Sequence, residues 1–158
     1  MKKFANSRGR RPKIADERQV FQYACWLLAR RNYSRAELLE KFEKKYLPNE
    51  TVFKKVFTKL TKFKLQSDEN FAEGFVRSHA DWGARRISLE LKKRGIADEL
   101  IELNLPTEID ELTRCRDTLE KKLKGTKIPE EFKEQQKLSA FLARRGFGLD
   151  VIREVMGF

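Results

Sequence analysis

The strongest constraint on this chain is that it matches itself three times. With Tyr33, Trp82 and Phe147 placed in register, the residues five positions on are Leu38, Ile87 and Ile152, and nine positions on are Phe42, Leu91 and Met156. The residue before the aromatic is Asn32, Asp81 or Gly146, and the one after it is Ser34, Gly83 or Gly148. These are helix-stop and helix-start chemistries. The first and third copies agree by eye, LARRNYSRAELLEKF at 28–42 against LARRGFGLDVIREVM at 142–156. Self-similarity at such an interval implies an array of small modules, each too small to bury a sufficient core without its neighbours.

Within each copy the apolar residues recur at steps of three and four. Val20, Phe21, Ala24, Leu27 and Leu28 make one face, Leu38, Leu39, Phe42 and Tyr46 the next, and Val52, Phe53, Val56, Phe57 and Leu60 a third. The pattern continues through Phe71, Phe75, Ile87, Leu91, Leu119, Leu142 and Ile152, and no stretch alternates with period two for long enough to make a strand. The expected fold is all-α, three tandem three-helix repeats in an elongated, curved array. Residues 1–15 read as a basic tail, 16–66 as the first repeat, 67–106 as the second and 107–158 as the third. Each copy reads as a helix, a tight turn bearing the aromatic and a second helix, with a shorter third helix in the first two copies. The aromatics are expected to tuck back into the core. The second interval is 16 positions longer than the first, a surplus expected around the breaks LPTEID and KGTKIPEE. Gly95 followed by Ile96, and Gly146 followed by Phe147, are the pairs expected at left-handed glycine caps.

Charge is distributed unevenly. The formal net charge is +11, and residues 1–13 carry six basic groups and no acid. Residues 14–66 add another +6, whereas 67–106 sum to −2 and 107–158 to +1. Such a field suits a polyanionic partner, nucleic acid or an acidic protein groove. With 40% hydrophobic and 37% charged residues the chain is too apolar for disorder. Its longest apolar run, residues 23–29, is too short for a bilayer. MKKFANSRGRRPK has no apolar stretch after it, so no signal peptide is expected. Cys25 and Cys115 are read as inert core thiols.

No catalytic constellation can be assembled, and no catalytic residue, metal site or cofactor is expected. The single histidine, His79, lies four residues after Phe75 and reads as packing. Acidic pairs such as Asp68 with Glu69 and Asp98 with Glu99 fall at helix starts, where the helix dipole explains them. The basic groups are the better candidates for partner or DNA binding. They are Arg8, Arg10 and Arg11 in the tail; Arg30 and Arg31 before the first turn; and Lys55, Lys59 and Lys62 at i, i+4 and i+7 of one helix. Arg85, Arg86, Lys92, Lys93 and Arg94 follow Gly83, and Arg144 and Arg145 repeat the position of Arg30 and Arg31. Stripes of this kind neutralise phosphates without reading sequence. A bidentate arginine grip is expected above all of Arg85 and Arg86, with a staple from Arg86 to Glu90 or to an acidic residue of another repeat as the alternative.

These blocks resemble the RecX regulators of the bacterial recombinase RecA. The resemblance is carried by LLARRNYSRAELLEKF, by SDENFAEGFVRSHADWGARRISLELKKRGIADELI and by KLSAFLARRGFGLDVIREVM, and covers about residues 18–157. In the middle block the matching residues are Asp68, Phe71, Ala72, Phe75, Val76, Arg77, Ser78, Gly83, Arg86, Ile87, Glu90, Leu91, Arg94, Gly95 and Ile96. The chain departs where the family often carries a glycine before the Asp, having LQSD instead. The resemblance implies a noncatalytic, cytoplasmic, monomeric protein that lies in the groove of the RecA–single-stranded DNA filament. There it restrains filament growth, ATP hydrolysis, strand exchange and the coprotease function. It also implies weak binding to DNA, single-stranded first and double-stranded second, and no membrane partner. Two other classes fit the pattern: a non-specific DNA-binding protein of tandem helix-turn-helix units, and a structural scaffold with a basic tail.

Overall fold

The computed structural model of the chain describes residues 12–157. Those residues form nine helices and no strand: α1 Glu17–Leu28, α2 Arg35–Lys45, α3 Glu50–Lys62, α4 Asp68–Ser78, α5 Ala84–Lys93, α6 Asp98–Asn104, α7 Glu108–Leu123, α8 Phe132–Arg144 and α9 Leu149–Met156. The all-α expectation holds. Helix starts are set by local chemistry. Asp16 accepts from the Gln19 amide at 3.0 Å, Asn49 accepts from the Val52 amide at 3.1 Å, and Ser34 and Thr107 each close a reciprocal capping box, with Glu37 and Asp110.

Three expectations need correction. The third helix of the first copy is not shorter: α3 has 13 residues against 11 in α2, because Phe53, Val56, Phe57 and Leu60 keep one face buried over three turns. The short third helix is found only in the second copy, where α6 has seven residues. Nor does the 16-position surplus lie in the proline-containing breaks. Between Tyr33 and Trp82 stand α2, α3 and α4, whereas between Trp82 and Phe147 stand α5, α6, α7 and α8. The surplus is a whole helix, and the 16-residue α7 lies between the two breaks that bound it. Finally, of the three turn aromatics only Phe147 is buried in the core, at 1% exposure; Tyr33 and Trp82 are half-buried.

The described residues divide into two compact units. One comprises the chain up to Phe71 together with Arg94–Ile96; the other comprises Ala72–Lys93 and the chain from Ala97 onward. In the first, Val20, Ala24 and Leu27 of α1 pack with Leu38 and Phe42 of α2 and with Phe53, Val56, Phe57 and Leu60 of α3. Phe42 is its centre, with its ring 5.5 Å from those of both Phe53 and Phe57. Residue Lys64 takes the left-handed conformation at φ 55°, and the Leu65 amide reaches back to the Leu60 carbonyl at 2.9 Å. A lysine therefore makes a left-handed cap of the kind glycine usually supplies.

In the second unit, Cys115 and Leu119 of α7 pack with Leu138 and Leu142 of α8, with Phe147, and with Ile152 and Met156 of α9. Burial pushes the Cys115 thiol up to about 11, which keeps it protonated and inert. His79 is half-buried and stacks on Phe75 at 4.2 Å, a packing role as expected. Arg114 is a structural cation that the sequence did not mark. Its guanidinium donates to the carbonyls of Val76, His79 and Trp82 at 3.3, 3.4 and 3.5 Å and closes the end of α4.

Candidate functional site

Among the described residues the candidate arginines lie at or beside the turns, and the candidate lysines lie on α3 and α5. Arg8, Arg10 and Arg11 lie outside the described residues; the other twelve can be placed. At the first turn, the Arg31 guanidinium lies 3.6 Å over the Tyr33 ring, donates to the Asn32 carbonyl at 2.8 Å and pairs with Glu37 at 3.1 Å. Arg30 points the other way, its guanidinium 3.6 Å from the exposed indole of Trp26. The turn is then tied to the Arg94–Ile96 segment of the same unit. The buried Ser34 hydroxyl donates to the Arg94 carbonyl at 2.6 Å, and Arg94 leans toward Glu37 with nitrogen and oxygen 3.9 Å apart. Gly95 has φ 71°, so the backbone takes the left-handed cap expected of it.

In the second unit the other two turns lie backbone against backbone. The Gly83 amide donates to the Arg145 carbonyl at 2.9 Å and the Arg85 amide to the Gly146 carbonyl at 3.3 Å. A side chain on Gly146, at φ 92°, would stand 2.5 Å from the Arg86 backbone nitrogen. This junction gathers Arg85, Arg86, Arg144 and Arg145. Two of the four face inward. Arg86 lies 3.8 Å over the Trp82 ring and donates to the Arg144 carbonyl at 3.3 Å, and Arg145 is paired with Asp81. Arg86 is thus a staple, though to Trp82 and a carbonyl and not to Glu90. Arg85 and Arg144 are exposed and make no ion pair among the described residues.

Each turn therefore divides its arginines by direction. Arg31, Arg86 and Arg145 hold the turn together, while Arg30, Arg85 and Arg144 face solvent. The lysines divide too. Lys59 pairs with Glu17 across α3 and α1 and holds that carboxyl below the ordinary range; Lys92 pairs with Asp98 at 2.9 Å and Lys93 with Glu90 at 2.9 Å. Lys55 and Lys62 are exposed and make no ion pair among the described residues. Exposed pairs of this kind stabilise little, so the paired lysines remain available to a stronger anion.

One constellation was missed in the sequence. On α1, Tyr23 and Trp26 stack at 5.9 Å with planes 22° apart, Arg30 covers Trp26, and the Lys45 ammonium sits 3.5 Å over Tyr23. Burial, then the neighbouring Lys13, holds Lys45 below the ordinary lysine range. The spacing of 23 and 26 puts both rings on neighbouring turns of α1 with Arg30 just beyond its end, and was legible; the approach of Lys45 and Lys13 was not.

Among the described residues no group of three or more His, Cys, Asp and Glu side chains could hold a metal ion, and no helix is long and apolar enough to cross a membrane. The models of the second and third three-helix domains of RecX match residues 67–103 and 108–156. The chain is 33% identical to the regulatory protein RecX of Chlorobium phaeobacteroides over 144 residues, covering 89% of this chain and 93% of that one. It is 35% identical to the regulatory protein RecX of Ectopseudomonas mendocina over 140 residues, covering 87% and 92%. It also superposes on the crystal structure of RecX from Lactobacillus salivarius with a TM-score of 0.76 at 25% identity, over 89% of this chain and 94% of that one. The chain belongs to the RecX family of regulatory proteins.

Proposed function

We propose that this protein is a noncatalytic regulator that binds the RecA–single-stranded DNA filament in its groove and mainly inhibits recombinase, ATPase and coprotease activity. It acts as a cytoplasmic monomer, with three helical repeats at 16–66, 67–106 and 107–158 as the units of contact. The observation that carries this reading is the outward arginine at each turn. Ring contacts, a carbonyl or an acid hold Arg31, Arg86 and Arg145 on their turns; Arg30 is exposed and rests only on the exposed Trp26 ring, and Arg85 and Arg144 are exposed with no ion pair among the described residues. A groove in a nucleoprotein filament presents carboxylates and phosphates, and a guanidinium binds either with two parallel hydrogen bonds. Exposed Lys55 and Lys62, and the tail with Arg8, Arg10 and Arg11, add sequence-independent attraction that weakens with salt.

The test is DNA-dependent ATP hydrolysis by the cognate recombinase, with this protein added at concentrations that do not coat the DNA. Suppression there supports filament binding. Suppression that appears only when the DNA itself is saturated assigns the chain to non-specific DNA binding instead.

A further inference from the structure

We infer that the ledge formed by Tyr23, Trp26, Arg30 and Lys45 is a stacking site for the bases of single-stranded nucleic acid. Trp26 is 50% exposed, on the side of α1 away from the Val20, Ala24 and Leu27 core face, so core packing does not explain a residue this large. Its ring is nearly parallel to that of Tyr23, and one face of each ring carries a cation, Arg30 over Trp26 and Lys45 over Tyr23. The result is a platform of two aromatic rings along one helix, bracketed by positive charge.

The surroundings select among partners. Gln19, Gln22 and Lys13 line the same open hollow as Tyr23, Trp26 and Lys45, and no carboxylate lines it. Lys13 is fixed beside the ledge because its amide donates to the Lys45 carbonyl at 3.1 Å and its carbonyl accepts from the Leu47 amide at 2.7 Å. Elsewhere among the described residues Arg31, Lys59, Lys92, Lys93, Arg94 and Arg145 pair with an acid; the cations and amide side chains of this hollow face none. Aromatic rings for base faces, cations for phosphates and amides for base edges are the components with which proteins hold unpaired strands. Duplex DNA, with its bases stacked on one another, offers no face to such a platform. An acidic protein would satisfy the cations but leave the exposed Trp26 ring without a role, since Tyr23 already packs against the core.

This extends the proposed partnership with DNA to a named site and needs no recombinase to be tested. The experiment is fluorescence anisotropy of a labelled oligothymidylate, and of an abasic strand with the same number of phosphates, against the full chain and its Trp26→Leu and Trp26→Phe variants. Trp26→Leu keeps an apolar side chain but cannot stack; its melting temperature checks that the fold is retained. The expected result is that Trp26→Leu weakens oligothymidylate binding by about tenfold, the order contributed by one stacked base, while Trp26→Phe restores most of it. The abasic strand should bind the parent about as weakly as oligothymidylate binds Trp26→Leu. Equal binding of the two strands by the parent, or no loss in Trp26→Leu, would overturn the proposal. So would a Trp26→Leu variant that loses only suppression of the recombinase, since the ledge would then be a protein contact. Because the anisotropy contains no recombinase, its failure leaves the filament reading standing.

Discussion

The turn at Tyr33 and the paired turns at Trp82 and Phe147 come from one repeated pattern yet are closed in opposite ways. The first is closed by side chains: a Ser34–Glu37 capping box, the Arg31 guanidinium on Tyr33, and a hydroxyl bond from Ser34 to the Arg94 carbonyl. The other two are closed by the absence of side chains, with Gly83 and Gly146 bringing two backbones into direct hydrogen bonding. Asn-Tyr-Ser and Gly-Phe-Gly are therefore two solutions to one problem, how to end one helix and start the next beside another piece of chain. Both solutions hold one arginine on the turn and leave another facing solvent.

The comparison can be broken most severely at the glycine junction. Gly146→Ala places a methyl group against the Arg86 backbone at a positive φ, and strain with overpacking should cost upwards of ~4 kcal/mol in denaturant melts. Gly125→Ala supplies the control: φ is 84° but nothing lies within 4 Å, so about 1 kcal/mol is expected. Near-equal losses would mean that the backbone contact is unimportant.

The turn aromatics come next. Phe147→Ala should destabilise by about 3 kcal/mol, since the ring is buried. Trp82→Ala and Tyr33→Ala should lose only about 1–2 kcal/mol, because these rings are half-exposed and covered on one face by arginine. A Trp82 loss as large as that of Phe147 would restore the simpler picture in which all three are core. At the side-chain-closed turn, Ser34→Ala removes a cap and one buried hydrogen bond, an expected ~1–2 kcal/mol, read as a lowered denaturant midpoint with an unchanged slope.

Much of this was legible in the sequence. The register of Tyr33, Trp82 and Phe147 located three turns, and apolar spacing supplied the helices because a helix face is a local property. The caps at Ser34, Gly95 and Gly146 were legible for the same reason. Direction was not. Nothing in Arg30-Arg31 or Arg85-Arg86 says which guanidinium turns inward, because that depends on where the chain places Glu37, Trp82 and the Arg144 carbonyl. The identity of the surplus helix was hidden for a different reason: α7 has capping and charge signals like any other helix, and only the count of helices between aromatics reveals it. Lys45 over Tyr23 is a contact between α1 and the end of α2, which periodicity within one helix cannot anticipate.

If outward arginines meet the partner and turn-bound ones hold the fold, the two sets separate on substitution. The direct measurement compares two triple variants for suppression of recombinase ATP hydrolysis at matched concentrations of folded protein. Arg30, Arg85 and Arg144 changed together to alanine should keep the melting temperature within a few degrees and lose most of the suppression. Arg31, Arg86 and Arg145 changed together should melt clearly lower yet suppress fully per folded molecule. An outward variant that still suppresses, or an inward variant that is stable but inactive, would contradict the account.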